Sequence, residues 1–97
     1  MKESVENLLQ AVDRWFDECF MEVLASDCYF IDQMHNEWYR AQQGKCTEQY
    51  AVENIKLLYS KLSGQTTEMK EKFDALNNIH GGELRQNHRA AMQLSLF

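Results

Sequence analysis

The sequence predicts an all-α protein, a small helical bundle of three to four helices with a C-terminal arm and an extended tail. The chain of 97 residues contains no proline and only four glycines, so few residues would interrupt a helix. Its apolar residues recur at the i, i+3, i+4, i+7 spacing of one helical face. This length suits one domain with a small core. We expect residues 1–80 to form the bundle and residues 81–97 to form the arm and tail.

The first half of the chain contains two apolar stripes at helical spacing. Ser4 is a suitable N-cap for the first helix, and Ser26-Asp27 resembles a second N-cap, so we predict a break there. Gly44 would end the second helix as its C′ residue. No glycine or proline separates the two stripes, so one long helix from about Val5 to Gln42 is the alternative. The stripes comprise Val5, Leu8, Leu9, Val12, Phe16, Cys19, Phe20 and Val23, bordered by Trp15, and then Cys28, Ile31, Met34, Trp38 and Ala41.

Two further helices are predicted in the second half of the chain. Thr47 would cap the third helix and Gly64 would end it. Thr66 or Thr67 would begin the fourth helix. The predicted inward-facing residues are Ala51, Ile55, Leu58, Tyr59 and Leu62 in the third helix, and Met69, Phe73, Leu76 and Ile79 in the fourth.

The overall composition excludes several classes of protein. A net charge of −5 and a pI near 5.1 disfavour bulk electrostatic binding to DNA or RNA, so we expect weak or no direct nucleic acid binding. No run of about 18 uncharged apolar residues exists, which predicts no membrane span. The N-terminal residues lack the apolar core of a secretory signal. We therefore expect a cytoplasmic protein.

The cysteines and histidines do not form a recognisable metal site. Cys19, Cys28 and Cys46 are odd in number and widely spaced, which favours free thiols. They do not combine with His35 into the ligand spacing of a zinc site, so we predict no metal and no cofactor. His35 and His80 lie near apolar stripes and are interpreted as residues at helix edges. No nucleophile has a recognisable base partner and no glycine-rich loop is present, so we predict that the protein is not an enzyme.

The charges are unevenly distributed along the chain. Residues 1–38 contain nine acidic and two basic residues, a net charge of 2 − 9 = −7, whereas residues 39–97 contain six acidic and eight basic residues, a net charge of 8 − 6 = +2. In the fourth helix, Glu68 and Lys72 have the spacing and order of a favourable ion pair. Four acidic residues are predicted to share one outer face of the first helix, which is either a solvated face or a surface for a basic partner. They are Glu3, Glu6, Asp13 and Asp17.

The chain ends with an apolar segment, Gln93-Leu94-Ser95-Leu96-Phe97. These five residues resemble the bacterial motif that binds the β sliding clamp, whose consensus is Gln-Leu-(Ser or Asp)-Leu-Phe. All five positions agree with that consensus. The resemblance covers these five residues only, and the helical body resembles no family that we can name from its sequence.

The resemblance implies a role for each residue of the tail. Leu96 and Phe97 would fill a hydrophobic pocket on the clamp, and Leu94 would pack at its lip. Gln93 would make polar contacts, partly through water, and Ser95 would act mainly as a spacer. The alternative is that the apolar side chains of the tail fold back and complete the protein's own core.

Together these patterns predict a small non-enzymatic protein that binds the β sliding clamp and modulates DNA replication or repair. It would either compete with polymerases or recruit a second replication or repair protein, and it suits a phage, a plasmid or a chromosome equally well. Arg85, His88 and Arg89 precede the tail and would lie near DNA phosphates on a loaded clamp. A homodimer would present two tails to one clamp ring. The alternative function is an acidic helical decoy that inhibits a DNA-binding enzyme of the host.

Overall fold

A computed structural model describes residues 1–78 of the chain. All the regular structure in this part is helical, which confirms the predicted all-α class. A short 3-10 turn, Phe20–Glu22, separates the first two helices. The predicted arm and tail, and Ile79 of the fourth stripe, lie outside the described residues. The helices are α1 (Lys2–Glu18), α2 (Ala25–Gln42), α3 (Glu48–Ser60) and α4, which is helical from residue 67 to residue 78.

The predicted break between the first two helices is confirmed, and the alternative of one long helix is wrong. The break lies earlier than Ser26-Asp27, because Val23 and Leu24 are extended and Leu24 is the N-cap of α2. The Leu24 N–H donates to Asp27 Oδ2 at 2.9 Å, and the Asp27 N–H donates to the Leu24 carbonyl at 3.0 Å. Asp27 therefore stabilises the start of α2 from the third helical position and not as the cap. Ser4 is not a cap either, since α1 already begins at Lys2.

Three of the predicted helix boundaries are confirmed by their hydrogen bonds. Gly44 follows α2 with a φ of +77°, and its N–H donates to the Ala41 carbonyl, as expected for a glycine C′ residue. Thr47 Oγ1 accepts from the Tyr50 N–H at 3.0 Å at the start of α3. Thr66 Oγ1 accepts from the Met69 N–H at 3.1 Å at the start of α4. These side chains satisfy donors that have no partner inside their helices.

The prediction that Gly64 ends the third helix is wrong. The helix α3 ends at Ser60, and the connection that follows turns the Leu62 side chain into the core. Gly64 lies against the indole of Trp15, where a Cβ atom would come within 3.2 Å of Cζ2. The glycine therefore permits a close approach between the α3–α4 connection and α1.

The core is built from the apolar stripes of all four helices. Most of the predicted stripe residues are buried or half-buried, and the two exposed ones lie close to the break, where Phe20 is 61% exposed and Cys28 is exposed. Phe20 is in the 3-10 turn, which does not continue the register of α1. On α2 the buried stripe begins at Asp27, so Cys28 is rotated by about 100° away from the core. The buried apolar residues are Val5, Leu8, Leu9, Ala11, Val12, Trp15, Ile31, Met34, Trp38, Ala41, Ala51, Val52, Ile55, Tyr59, Leu62, Met69 and Leu76.

The sequence predicts an ion pair between Glu68 and Lys72 along α4, but in the structure Glu68 contacts a different helix. Glu68 of α4 binds Arg14 of α1, with 2.9 Å between Arg14 Nε and Glu68 Oε1 and a second, shorter contact through Nη2. The hydrogen bond from Arg14 lowers the pKa of Glu68, and Lys72 contributes only a weaker electrostatic attraction. The Glu68 side chain therefore connects two helices instead of pairing along α4. Within residues 1–78 no helix combines the length and the apolar character needed to cross a membrane.

Candidate functional site

The residues predicted to contact the clamp lie outside the part of the chain that the structure describes. The same is true of the basic residues of the arm. Their roles therefore stay predictions from the sequence. These residues are Gln93, Leu94, Ser95, Leu96 and Phe97 in the tail, and Arg85, His88 and Arg89 in the arm.

The predicted acidic face of α1 lies within the described residues, and three of its four members border α2. Glu3 is exposed in the first turn of α1. Glu6 and Asp13 line a small hollow with Trp38 of α2. Asp13 also lines a larger groove between α1 and α2, and Asp17 lies at the edge of the same groove. These carboxylates therefore surround an inter-helix surface.

The larger groove, called here the α1–α2 groove, has an apolar floor and an acidic rim. Its volume is about 480 Å³, and it is open to solvent. Phe16 and Ile31 supply the apolar floor, and Asp13, Asp17 and Asp32 supply the carboxylates of the rim. Cys28 and His35 complete the lining.

A hydrogen bond between α1 and α2 crosses this surface. His35 Nε2 lies 2.8 Å from Asp13 Oδ1, and both side chains are roughly half exposed. The predicted interpretation of His35 as a helix-edge residue agrees with this half-exposed position.

Sequence reasoning missed the contribution of α2 to this surface. Cys28, Asp32 and His35 follow one another at i, i+4 and i+7, so they occupy one face of a helix. That face lies beside the apolar stripe that begins near Ile31. The spacing could have shown that Asp32 and His35 share a face, but no local signal indicates that Asp13 lies opposite them.

A second surface lies between α2 and α3. Tyr29 and Leu57 are 61% and 63% exposed, and they border a hollow of about 270 Å³ together with Phe30. The ammonium group of Lys61 lies 5.7 Å from the centre of the Phe30 ring, within the range of a cation–π contact. This surface has the composition of an interaction site, but nothing in the structure shows what covers it.

The three cysteines are free thiols, two of them half-buried and Cys28 exposed. Among residues 1–78, no three histidine, cysteine, aspartate or glutamate side chains are close enough together to hold a metal ion.

The fold places the protein among small all-α helical bundles. Comparison of the chain with known protein families, with curated proteins and with solved structures gives no match.

Proposed function

We propose that this protein binds the bacterial β sliding clamp through residues 93–97 and thereby modulates DNA replication or repair. One observation carries the proposal, the agreement of all five residues of Gln93-Leu94-Ser95-Leu96-Phe97 with the consensus of the clamp-binding motif. Three apolar side chains on five adjacent positions are a cost to a protein unless another surface buries them. A hydrophobic pocket on a partner is such a surface.

The energetics of the tail fit a reversible contact. Burial of Leu94, Leu96 and Phe97 would contribute roughly 1.5–3 kcal/mol each. Ordering and immobilising the segment costs several kcal/mol. The few kcal/mol that remain correspond to a dissociation constant in the high-micromolar to millimolar range. Because apolar burial provides the free energy, the affinity should depend only weakly on salt.

The body of the protein supports a separable tail. The apolar stripes of the four helices pack against one another and form a core among residues 1–78. We therefore expect that deletion of residues 93–97 leaves the helical circular dichroism and the melting temperature nearly unchanged. A large loss of thermal stability would favour the alternative, in which the tail completes the core.

The test is a titration of purified β clamp with the full-length protein and its variants. Phe97→Ala and Leu96→Ala should each weaken binding by roughly 2–4 kcal/mol, because each empties part of an apolar pocket. Ser95→Asp should bind normally, since the family accepts either residue. Leu57→Ala is the matched control, because it removes the same atoms from an exposed leucine of the body. The proposal fails if full-length protein does not bind the clamp or if Phe97→Ala binds equally well.

Two effects on replication or repair follow from clamp binding. The protein could displace polymerases from the clamp, or it could bring a second replication or repair protein to it. Displacement of a labelled polymerase tail peptide from the clamp measures the first effect directly. A pull-down with full-length protein as bait, compared with Phe97→Ala, identifies partners that arrive with the clamp.

Two further proposals concern the geometry of the complex. Arg85 and Arg89 would lie near DNA phosphates, with His88 between them, so their replacement by alanine should reduce binding to DNA-loaded clamp more than to free clamp. A homodimer would engage both pockets of one clamp ring and bind more tightly than a synthetic peptide of residues 92–97. Sedimentation analysis and a side-by-side titration with that peptide test the second point.

A further inference from the structure

The α1–α2 groove carries a charge that the described residues do not neutralise. Asp13 has His35 as a hydrogen-bond partner, but within residues 1–78 Asp17 and Asp32 have no salt-bridge partner. Among residues 1–78, no lysine or arginine lines the groove. Carboxylates on both walls of an apolar cleft create a negative potential that attracts a cation more strongly than scattered surface charges do.

The apolar floor favours a cation that also carries an apolar part. A bare metal ion would gain nothing from Phe16 and Ile31, and among residues 1–78 no three ligating side chains come close enough together to hold one. Lysine and arginine side chains combine an apolar stem with a charged head. The stem would cover the floor of the groove while the head reaches the carboxylates of the rim.

The geometry favours arginine over lysine and a polypeptide over a small molecule. A planar guanidinium can stack on an aromatic ring such as Phe16 and donate in pairs to carboxylates such as Asp17 and Asp32. The groove has room for more than one side chain, because its volume of about 480 Å³ lies within the range of ligand pockets. Its open side suits a segment that lies along the protein surface.

We propose that the α1–α2 groove binds a basic amphipathic segment of a partner protein, with arginine heads on Asp17 and Asp32 and apolar side chains on Phe16 and Ile31. Segments of this composition are typical of proteins that bind nucleic acid phosphates. The protein would thus occupy a surface that otherwise binds DNA or RNA. This inference does not rest on clamp binding, since the groove lies on the body and the motif lies in the tail.

The test uses the full-length protein and a synthetic helical peptide that carries arginine and leucine on one face. A scrambled peptide of the same composition controls for net charge. Binding is followed by fluorescence anisotropy of the labelled peptide, and its position is mapped by backbone amide chemical shifts. We expect saturable binding that weakens as salt increases, with the largest shifts in residues 13–17 and 28–35.

Matched variants separate the groove from general electrostatics. Asp17→Asn combined with Asp32→Asn should weaken peptide binding about tenfold, because two charge-assisted contacts are lost. Glu22→Gln combined with Glu71→Gln changes the net charge equally at exposed positions outside the groove and should change binding less than about twofold. Cys28→Trp should block the groove from an exposed position without entering the core.

Several results would overturn the proposal. Equal weakening by both double variants would show that only net charge matters, and equal binding of the scrambled peptide would show that no shaped site exists. Shifts confined to other surfaces would place the contact elsewhere. If Arg85→Ala with Arg89→Ala changes the groove amides in the absence of peptide, the occupant is the protein's own arm and not a partner.

Discussion

Replacement of Asp27 is the most informative perturbation of the fold. Its side chain is completely buried, and its carboxylate accepts three hydrogen bonds. The Leu24 N–H donates to Oδ2 at 2.9 Å, the Ser63 N–H to Oδ1 at 2.8 Å and the Ser63 hydroxyl to Oδ2 at 2.5 Å. Asp27 thus connects the first turn of α2 to the segment between α3 and α4.

The expected loss of stability follows from the hydrogen-bond donors that lose their acceptor when Asp27 is replaced. Asp27→Ala leaves two backbone N–H groups without their charged acceptor, and each hydrogen bond to a charged group contributes about 1.5–3 kcal/mol. It also removes a negative charge from the helix N-terminus, at about 0.3–1 kcal/mol. Relief from burying a charge offsets part of this loss. We expect a net loss of about 3 kcal/mol, which for a domain of this size lowers the melting temperature by roughly 15 °C.

Urea and thermal denaturation followed by circular dichroism measure the effect. Asp27→Asn should cost about half as much as the alanine variant, because it keeps one acceptor oxygen and presents an amide N–H₂ to the other donors. Asp32→Asn is the control, since it makes the same change at an exposed position of the same helix and should alter stability by less than about 0.5 kcal/mol. A double-mutant cycle with Ser63→Ala isolates the contact between the two side chains. Equal melting temperatures for Asp27→Asn and Asp32→Asn would refute the reasoning.

The same carboxylate gives the stability a defined pH dependence. Burial raises the pKa of Asp27, but the hydrogen bonds from the Ser63 hydroxyl and from the N–H groups of Leu24 and Ser63 together lower it below its ordinary value. A folded-state pKa below the unfolded value means that the stabilisation is present above the unfolded pKa and is lost as the pH falls through the folded pKa. Asp27→Asn should therefore flatten the acid side of the stability profile.

Three further predictions concern single sites. Tyr59→Phe should raise the free energy of unfolding by about 1 kcal/mol in urea titrations, because within residues 1–78 the buried Tyr59 hydroxyl has no hydrogen-bond partner. A destabilised variant would mean that the hydroxyl does have a hydrogen-bond partner. Gly44→Ala should lower the free energy of unfolding by about 1 kcal/mol, because the φ of +77° at this position is unfavourable for alanine, although the added methyl group would meet no atom within 4 Å. An unchanged midpoint of urea unfolding would contradict this. All three cysteines should react with a thiol reagent after denaturation without reductant, and the native mass should match the metal-free chain; a bound zinc ion would overturn this expectation.

The sequence predicts the buried faces of the helices more accurately than the residues at which the helices begin. The stripes on α1, α3 and α4 follow from periodicity, because burial of apolar side chains decides which face points inward. The start of α2 was misplaced because Ser26 and Asp27 are typical cap residues, whereas Asp27 bonds back to the Leu24 N–H from inside the helix. Composition alone does not distinguish the two arrangements. The other carboxylate oxygen accepts from the N–H of Ser63, which lies 36 residues further along the chain, and no local pattern predicts that contact.

The candidate site was predictable only in part for a similar reason. The acidic residues of α1 follow from their spacing, and the five-residue motif is recognisable from its letters. The α1–α2 groove depends on how two helices pack, and Asp13 and His35 are separated by 22 residues with a break between them. Side-chain chemistry along one helix is local information, whereas a cleft between helices is set by the whole core.

The two proposed contacts together decide between competition and recruitment. The 14 residues from 79 to 92 can span at most about 50 Å in any conformation, so a partner in the groove would be held within that reach plus the size of the body. Such tethering raises the local concentration of the partner at the clamp, at best to the millimolar range. A competitor needs only the tail, whereas a recruiter needs the groove as well. Asp17→Asn combined with Asp32→Asn should therefore weaken recruitment about tenfold and leave displacement of polymerase tails intact, because neither residue belongs to the motif.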